Sequence, residues 1–343
     1  MNTKLSPLYA GILLAFAPAA WSGVTTEYLQ ASNQITNDND VSYFVAPTSV
    51  SNEGNLIAFV SEDTSNAPSA TGYGIYNRVT GQVSTPVQSI DGTVVKVDSP
   101  TISGNGRYLA FYSGTDNLIA NDPVGRDLFV HDLQTGNVEQ VSLMGSFQLN
   151  VNGNMPSISM SDTGRFIAFS MRMQNPDGTG YNHAVVRDIE LAQTRLYGNG
   201  TPTISGDGTV VATYRSGERT ITILDRASHT AIEQITLQTL PSDASVERVT
   251  LSFDGRYVAF NTQNRLYLYD RNSGETREIV KRNPNGDRVA GVELVTGQFS
   301  DDGRFLAVQQ IDSFGTASAA TSHNALVYNL ESGKLAQVSD NAQ

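Results

Sequence analysis

Cysteine is missing from all 343 residues. That absence excludes disulfides, thiolate metal sites, a thiol nucleophile and a lipid-modified N-terminal cysteine. Cations are scarce: 22 Lys and Arg stand against 34 Asp and Glu, a formal charge of −12. Nucleic acid and anionic membrane surfaces both select concentrated Lys and Arg, so neither is expected as a partner. The four histidines, His131, His183, His229 and His323, lie far apart, and none has a second ligand at metal-site spacing. There is no Gly-x-Ser-x-Gly elbow and no Gly-rich phosphate loop. After the first two dozen residues no apolar run approaches membrane-spanning length.

Those first residues form a pattern of their own. Lys4 precedes an apolar stretch through Phe16 and Ala17, and Ala20-Trp21-Ser22 before Gly23 fits a small-x-small cleavage site. Residues 1–22 therefore read as a secretory signal, and residues 23–343 as a periplasmic or secreted protein without membrane insertion. Removal of the signal takes away only one charged residue, Lys4, and shifts the formal charge to −13.

What the chain has in abundance is a repeat. Ser is followed three residues later by Gly and four after that by Ala at Ser51/Gly54/Ala58, Ser103/Gly106/Ala110, Ser161/Gly164/Ala168, Ser205/Gly208/Ala212, Ser252/Gly255/Ala259 and Ser300/Gly303/Ala307. The glycines are 52, 58, 44, 47 and 48 residues apart, a period that marks propellers, solenoids and arrays. Asn-Gly and Asp-Gly pairs between extended segments signal hairpins. The segments that follow, such as Arg107-Tyr-Leu-Ala-Phe111 and Arg256-Tyr-Val-Ala-Phe260, are apolar on both faces and need cover on both. A second strand pair flanks a Thr-Gly or Ser-Gly turn, as in Leu128 to Gly136 and Leu266 to Gly274. Four strands in each of six units, with no helical periodicity, predict an all-β, six-bladed propeller of four-stranded antiparallel blades.

Pro100-Thr-Ile-Ser-Gly-Asn-Gly-Arg-Tyr-Leu-Ala-Phe111, continued by Asp127-Leu-Phe-Val-His-Asp-Leu-Gln-Thr-Gly136, resembles the TolB-type, WD-repeat-like propeller repeat of bacterial envelope proteins. The resemblance covers all six units, with degenerate second turns in units three and four. It implies the fold and an envelope setting. The additional N-terminal domain of TolB and the hydrolase domain of prolyl-oligopeptidase-like enzymes have no counterpart here, so a propeller alone is expected. Either the N-terminal segment 25–32 or the C-terminal segment 334–339 supplies the strand that closes the ring.

Six equivalent serines imply a structural task rather than a nucleophile, and Arg107, Arg165, Arg256 and Arg304, repeating beside the same turn, imply the same. No catalytic or cofactor-binding residue is assigned. Function is expected where the repeats differ. Loops 64–72, 115–126, 171–181 and 312–323 are long and neighbour one another around the ring, which points to one binding face of blades six, one, two and three. Within the second loop Asp116, Asp122 and Asp127 are candidate ligands for a structural Ca²⁺. The expected function is a monomeric, non-enzymatic scaffold that uses this face to engage a protein or an envelope polymer. The alternative is a hydrolase or lyase acting on carbohydrate or a lactone at the central channel. Two or more buried carboxylates or histidines at the channel mouth favour the enzyme; a mouth lined by backbone and small residues favours the scaffold.

Overall fold

The computed structural model describes residues 41–44, 50–63, 70–92, 95–120, 126–142, 157–174, 180–240, 244–262, 265–280, 285, 292–312 and 322–338. They form six four-stranded antiparallel sheets, each built from four consecutive strands. Blade one holds β1 Val41–Phe44, β2 Leu56–Asp63, β3 Ala70–Asn77 and β4 Gln82–Ser84; blade two holds β5 Asp98–Ile102, β6 Tyr108–Ser113, β7 Asp127–Asp132 and β8 Val138–Gln140. Blade three comprises β9 Ser159–Met160, β10 Phe166–Gln174, β11 Gly180–Asp188 and β12 Gln193–Asn199. Blade four comprises β13 Thr201–Ile204, β14 Val210–Tyr214, β15 Thr220–Asp225 and β16 Ala231–Thr236. Blade five runs through β17 Arg248–Leu251, β18 Tyr257–Thr262, β19 Arg265–Asp270 and β20 Glu275–Ile279. Blade six runs through β21 Val292–Phe299, β22 Phe305–Asp312, β23 Ser322–Asn329 and β24 Lys334–Gln337. The protein is a six-bladed β-propeller. Its last blade takes its fourth strand from the C-terminal segment, while segment 25–32 lies outside the described residues.

Each hairpin is fastened by its serine. The Ser N–H donates to the carbonyl five residues on at 2.8–3.0 Å in all six copies, and the motif Gly N–H donates back to the Ser carbonyl. The hydroxyl accepts the N–H five residues on, at 3.1 Å for Leu56, 2.9 Å for Tyr108 and 3.0 Å for Val210. In four copies the hydroxyl also donates to the second residue after it, Asn105, Asp207, Asp254 or Asp302. The turn closes only with left-handed backbone at the glycine, whose φ lies between 65° and 74° in every copy. At the second turn of blades three and four, where the repeat has no glycine, Ala192 and His229 adopt this conformation instead, at φ 51° and 59°.

The strands after these turns are buried on both faces, as in β6 and β14. Each of five apolar clusters therefore straddles two adjacent blades, from Leu109 and Phe111 against Ala58 and Ile75 to Leu266 and Leu268 against Leu306 and Leu326. Full burial of one such Leu or Phe stabilises by about 1.5–3 kcal/mol. The small motif residue sits in these seams: Ala58, Ala110, Ala168, Ala212 and Ala259 are wholly buried, whereas Ala307 is only partly so.

Arginines lock the first turn to the end of the third strand. Arg107 grips Asp132, Arg165 grips Asp188 and Arg256 grips Asp270, with closest contacts of 2.8, 2.9 and 2.7 Å. The Arg107 guanidinium holds the Asp132 carboxyl well below the usual carboxylate range. In blades one and four the cation comes from the other turn, with Arg78 and Arg226 reaching the carbonyls of Gly54 and Gly208.

Ser205 is fully buried. Ser205→Ala removes the acceptor for the Val210 N–H and the donor to Asp207, and is expected to cost about 1–3 kcal/mol of stability. Urea unfolding checks this, and an unchanged midpoint would remove the serine from the fold's support.

Candidate functional site

Antiparallel strands in sequence place the first and third connections of every blade on one face of the disc and the second connections on the other. The Ser-x-x-Gly turns thus share a face and gather at the axis, since the first strands are buried and the fourth strands largely exposed. Main-chain bonds run from turn to turn. Asn52 N–H donates to the Gly104 carbonyl at 2.8 Å, Asn105 to Asp162 at 2.8 Å, Asp162 to Gly206 at 2.8 Å and Asp207 to Phe253 at 2.9 Å. Five blades are joined this way.

The residue after each serine consequently faces the axis, and here the copies differ: Asn52, Gly104, Asp162, Gly206, Phe253 and Asp301. The Asn52 amide donates to Asp162 Oδ2 at 2.7 Å, a bond from blade one to blade three that passes over blade two. It can pass because residue 104 is glycine: a Cβ there would lie 2.5 Å from the Asn52 side chain. Gly206 makes room in the same way, since a Cβ would meet Phe253 at 2.7 Å and Asp162 Oδ1 at 2.9 Å.

Two carboxylates share this mouth. Burial raises the Asp162 carboxyl, the Asn52 amide opposes that shift, and Asp207 adds to it. Asp301 is pushed up to about 6, first by burial of its carboxyl and then by the charges of Asp162 and Asp302. Asp162 is half-buried, whereas Asp301 keeps an exposed side toward solvent. Among the described residues no hydrogen-bond donor reaches the Asp301 carboxylate.

Asp301 also lines a cleft of about 550 Å³ between blades five and six, with Phe253, Arg256, Tyr257, Arg304 and Glu331 among its walls. The cleft exists because one repeated contact fails. A Cβ on Gly106, Gly164, Gly208 or Gly255 would stand 3.1, 2.4, 2.6 or 2.8 Å from Leu56, Tyr108, Phe166 or Val210 of the preceding blade. The equivalent position on Gly303 has nothing within 4 Å. Among the described residues no main-chain bond joins the turns of blades five and six either. The gap is confined to this end, because Leu268 and Leu306 pack together deeper in the same seam.

The remaining expected site residues are dispersed. Asp127 Oδ1 accepts from Ser142 at 2.7 Å, Asp116 is exposed, and Asp122 lies outside the described residues. Among the described residues no group of three or more His, Asp or Glu is placed to hold a metal ion. His131 is buried within β7, and burial lowers its proton affinity. His229 shapes a turn, and His323 lies in β23. Of the four loops, residues 64–69, 121–125, 175–179 and 313–321 lie outside the described residues, whereas 70–72, 171–174, 180–181, 312 and 322–323 extend strands β3, β10, β11, β22 and β23. The residue after each serine is not singled out by the repeat motif itself. The signal that separates it is its variability, Asn, Gly, Asp, Gly, Phe, Asp, beside an invariant serine.

No protein-family model and no curated protein matches the chain. Among solved structures, an oligogalacturonate lyase from Vibrio parahaemolyticus superposes with TM-score 0.55 at 13% identity, covering 86% of this chain and 77% of that one. The β-propeller domain of Myceliophteria thermophila Cps50 (Swd1) gives 0.49 at 13% identity over 86% and 88% of the two chains. TolB from Acinetobacter baumannii gives 0.42 at 16% identity over 80% and 61%. The likeness to the lyase, at 13% identity, is one of fold alone.

Two outcomes follow from this geometry. Gly255→Ala forces a side chain into left-handed backbone and against Val210, whereas Gly303→Ala meets only the backbone penalty of about 1–2 kcal/mol. Gly255→Ala should therefore lose about 1–3 kcal/mol more than Gly303→Ala in parallel urea titrations. Equal losses would mean that the seam is closed in solution. For Asp301 the unfolded carboxyl ionises first, so its contribution to stability falls as pH rises from about 4 to about 6 and is flat above. Asp301→Asn should raise the melting temperature near pH 8 and give no gain near pH 3.5. A pH-independent difference would contradict the assignment.

Proposed function

We propose that the protein is an exported, non-enzymatic binding scaffold that engages a protein or an envelope polymer. One observation carries this reading: the axis end where catalytic groups would converge is spanned by structure. Main-chain bonds run around it from turn to turn through five blades, and the Asn52–Asp162 bridge crosses it over Gly104. The repeated serines and arginines are likewise engaged in holding turns. Export rests on the signal-like residues 1–22, and a periplasmic or secreted location follows from it. The long loops of blades six, one, two and three are the proposed main engagement face, by virtue of their length and adjacency around the ring.

The enzyme reading has one observation in its favour, two electrostatically coupled carboxylates at the channel mouth. Asp162 is half-buried and Asp301 exposed, however, so they are not the buried pair that reading calls for. Acid–base chemistry by a carboxylate pair needs both groups free to exchange protons with substrate. Asp162 Oδ2 is already bound by Asn52, which leaves Asp301 without a second carboxylate free to share its proton transfers among the described residues. The oligogalacturonate lyase fold is compatible with either reading.

Crosslinking in intact cells with mass spectrometry tests the scaffold, using the wild-type chain and a variant in which loop residues 64–69 and 313–321 are shortened to Gly-Ser turns. The expected result is an envelope protein or polymer crosslinked to the wild type and at least about tenfold depleted from the loop variant. Recovery of no envelope component from the wild type would overturn the scaffold. Recovery undiminished by loop shortening would overturn the assigned face.

A further inference from the structure

The cleft between blades five and six lies on the face opposite the long loops and has a definite chemistry. Its inner wall is Phe253, a phenylalanine 40% exposed at a position where every other copy carries Asn, Gly or Asp. Its outer wall is Glu331, and Asp301 and Asp302 lie between. Two arginines also line it, but both are engaged: Arg256 with Asp270 at 2.7 Å and Arg304 with Asp302 at 2.7 Å. Asp254 is engaged as well, accepting from Ser252 and from the Arg256 N–H. Asp301 and Glu331 remain as acceptors facing the opening, so the cleft presents surplus negative charge beside an aromatic face. An acidic polymer meets repulsion there. A cation on an apolar stem matches it, with the stem laid along Phe253 and the charge at Asp301.

We propose that this cleft is a second binding site, which takes a Lys or Arg side chain presented by an extended segment of a partner protein. The proposal rests on the scaffold reading and gives it a recognition chemistry. Four seams are filled by the preceding blade's residue against the motif glycine; at the fifth, Gly303 faces open space and the guest side chain occupies the position that the repeat leaves vacant. The ring of Phe253 supplies a cation–π face, and the Asp301 carboxylate, to which no described residue donates, supplies the charge-assisted hydrogen bond. Specificity follows from the same pair, because an acidic or small neutral side chain satisfies neither wall.

The test uses the full mature chain and two fluorescein-labelled, terminally blocked heptapeptides, Gly-Gly-Lys-Leu-Lys-Gly-Gly and its Glu-for-Lys counterpart, read by fluorescence anisotropy at low salt. The Lys peptide should bind at least about tenfold more tightly than the Glu peptide. Asp301→Asn should weaken the Lys peptide by about tenfold, through loss of a charged hydrogen bond. Phe253→Leu, which keeps an apolar wall but removes the aromatic face, should weaken it by about threefold. Glu190→Gln, on the same face but paired with Arg165 at another seam, should leave binding unchanged. Equal binding of the two peptides, or equal binding of the Lys peptide by wild type and Asp301→Asn, overturns the proposal. So does the absence of any wild-type binding up to about 1 mM, an affinity of only roughly 4 kcal/mol. The scaffold reading fails by a separate readout, the loss of all envelope crosslinks, so the two outcomes are distinguishable.

Discussion

A strand buried on both faces cannot lie at the outside of a stack, and that constraint shapes this molecule. The second strand of each blade is apolar on both sides, so every blade needs two neighbours, and a ring is the arrangement that gives all six the same. The wholly buried alanines of five blades show how closely the layers meet. Everything else in the repeat serves this stacking. The serine hydroxyl fixes the hairpin that presents the strand, and the arginine ties that hairpin to the end of the third strand.

The fold was legible in the sequence because its determinants are local and repeated six times. Ser, Gly and Ala recur at fixed offsets, and each offset has a physical meaning: a hydroxyl within reach of the N–H five residues on, left-handed backbone at the turn, and a small side chain in the seam. The degenerate turns of blades three and four were equally visible, although their solution was not. Nothing in the residue types Ala192 and His229 announces that they adopt the conformation glycine holds elsewhere.

The axial site was legible only in part, since it depends on contacts between blades. Asn52 and Asp162 lie 110 positions apart and meet because a glycine separates them in space. No local pattern encodes that meeting. The cleft at blade six is subtler still. Gly303 satisfies the motif as well as any other copy, and its difference lies entirely in what the preceding blade fails to place against it. Attention directed by loop length goes to the opposite face, whereas the geometry of the turns draws it to the positions next to the serines.

Neighbouring turns are held together at the axis by carbonyls and N–H groups, which every residue type but proline provides. Exchange of the side chain at Asn52, Asp162 or Phe253 for another non-proline residue therefore removes none of these main-chain donors or acceptors. Asn52, Asp162, Phe253 and Asp301 carry the chemistry of the hub, while Gly104 and Gly206 supply the room that these side chains occupy. The chemistry of the hub is thus carried by side chains and its mechanics by the main chain, two layers that meet at the two glycines.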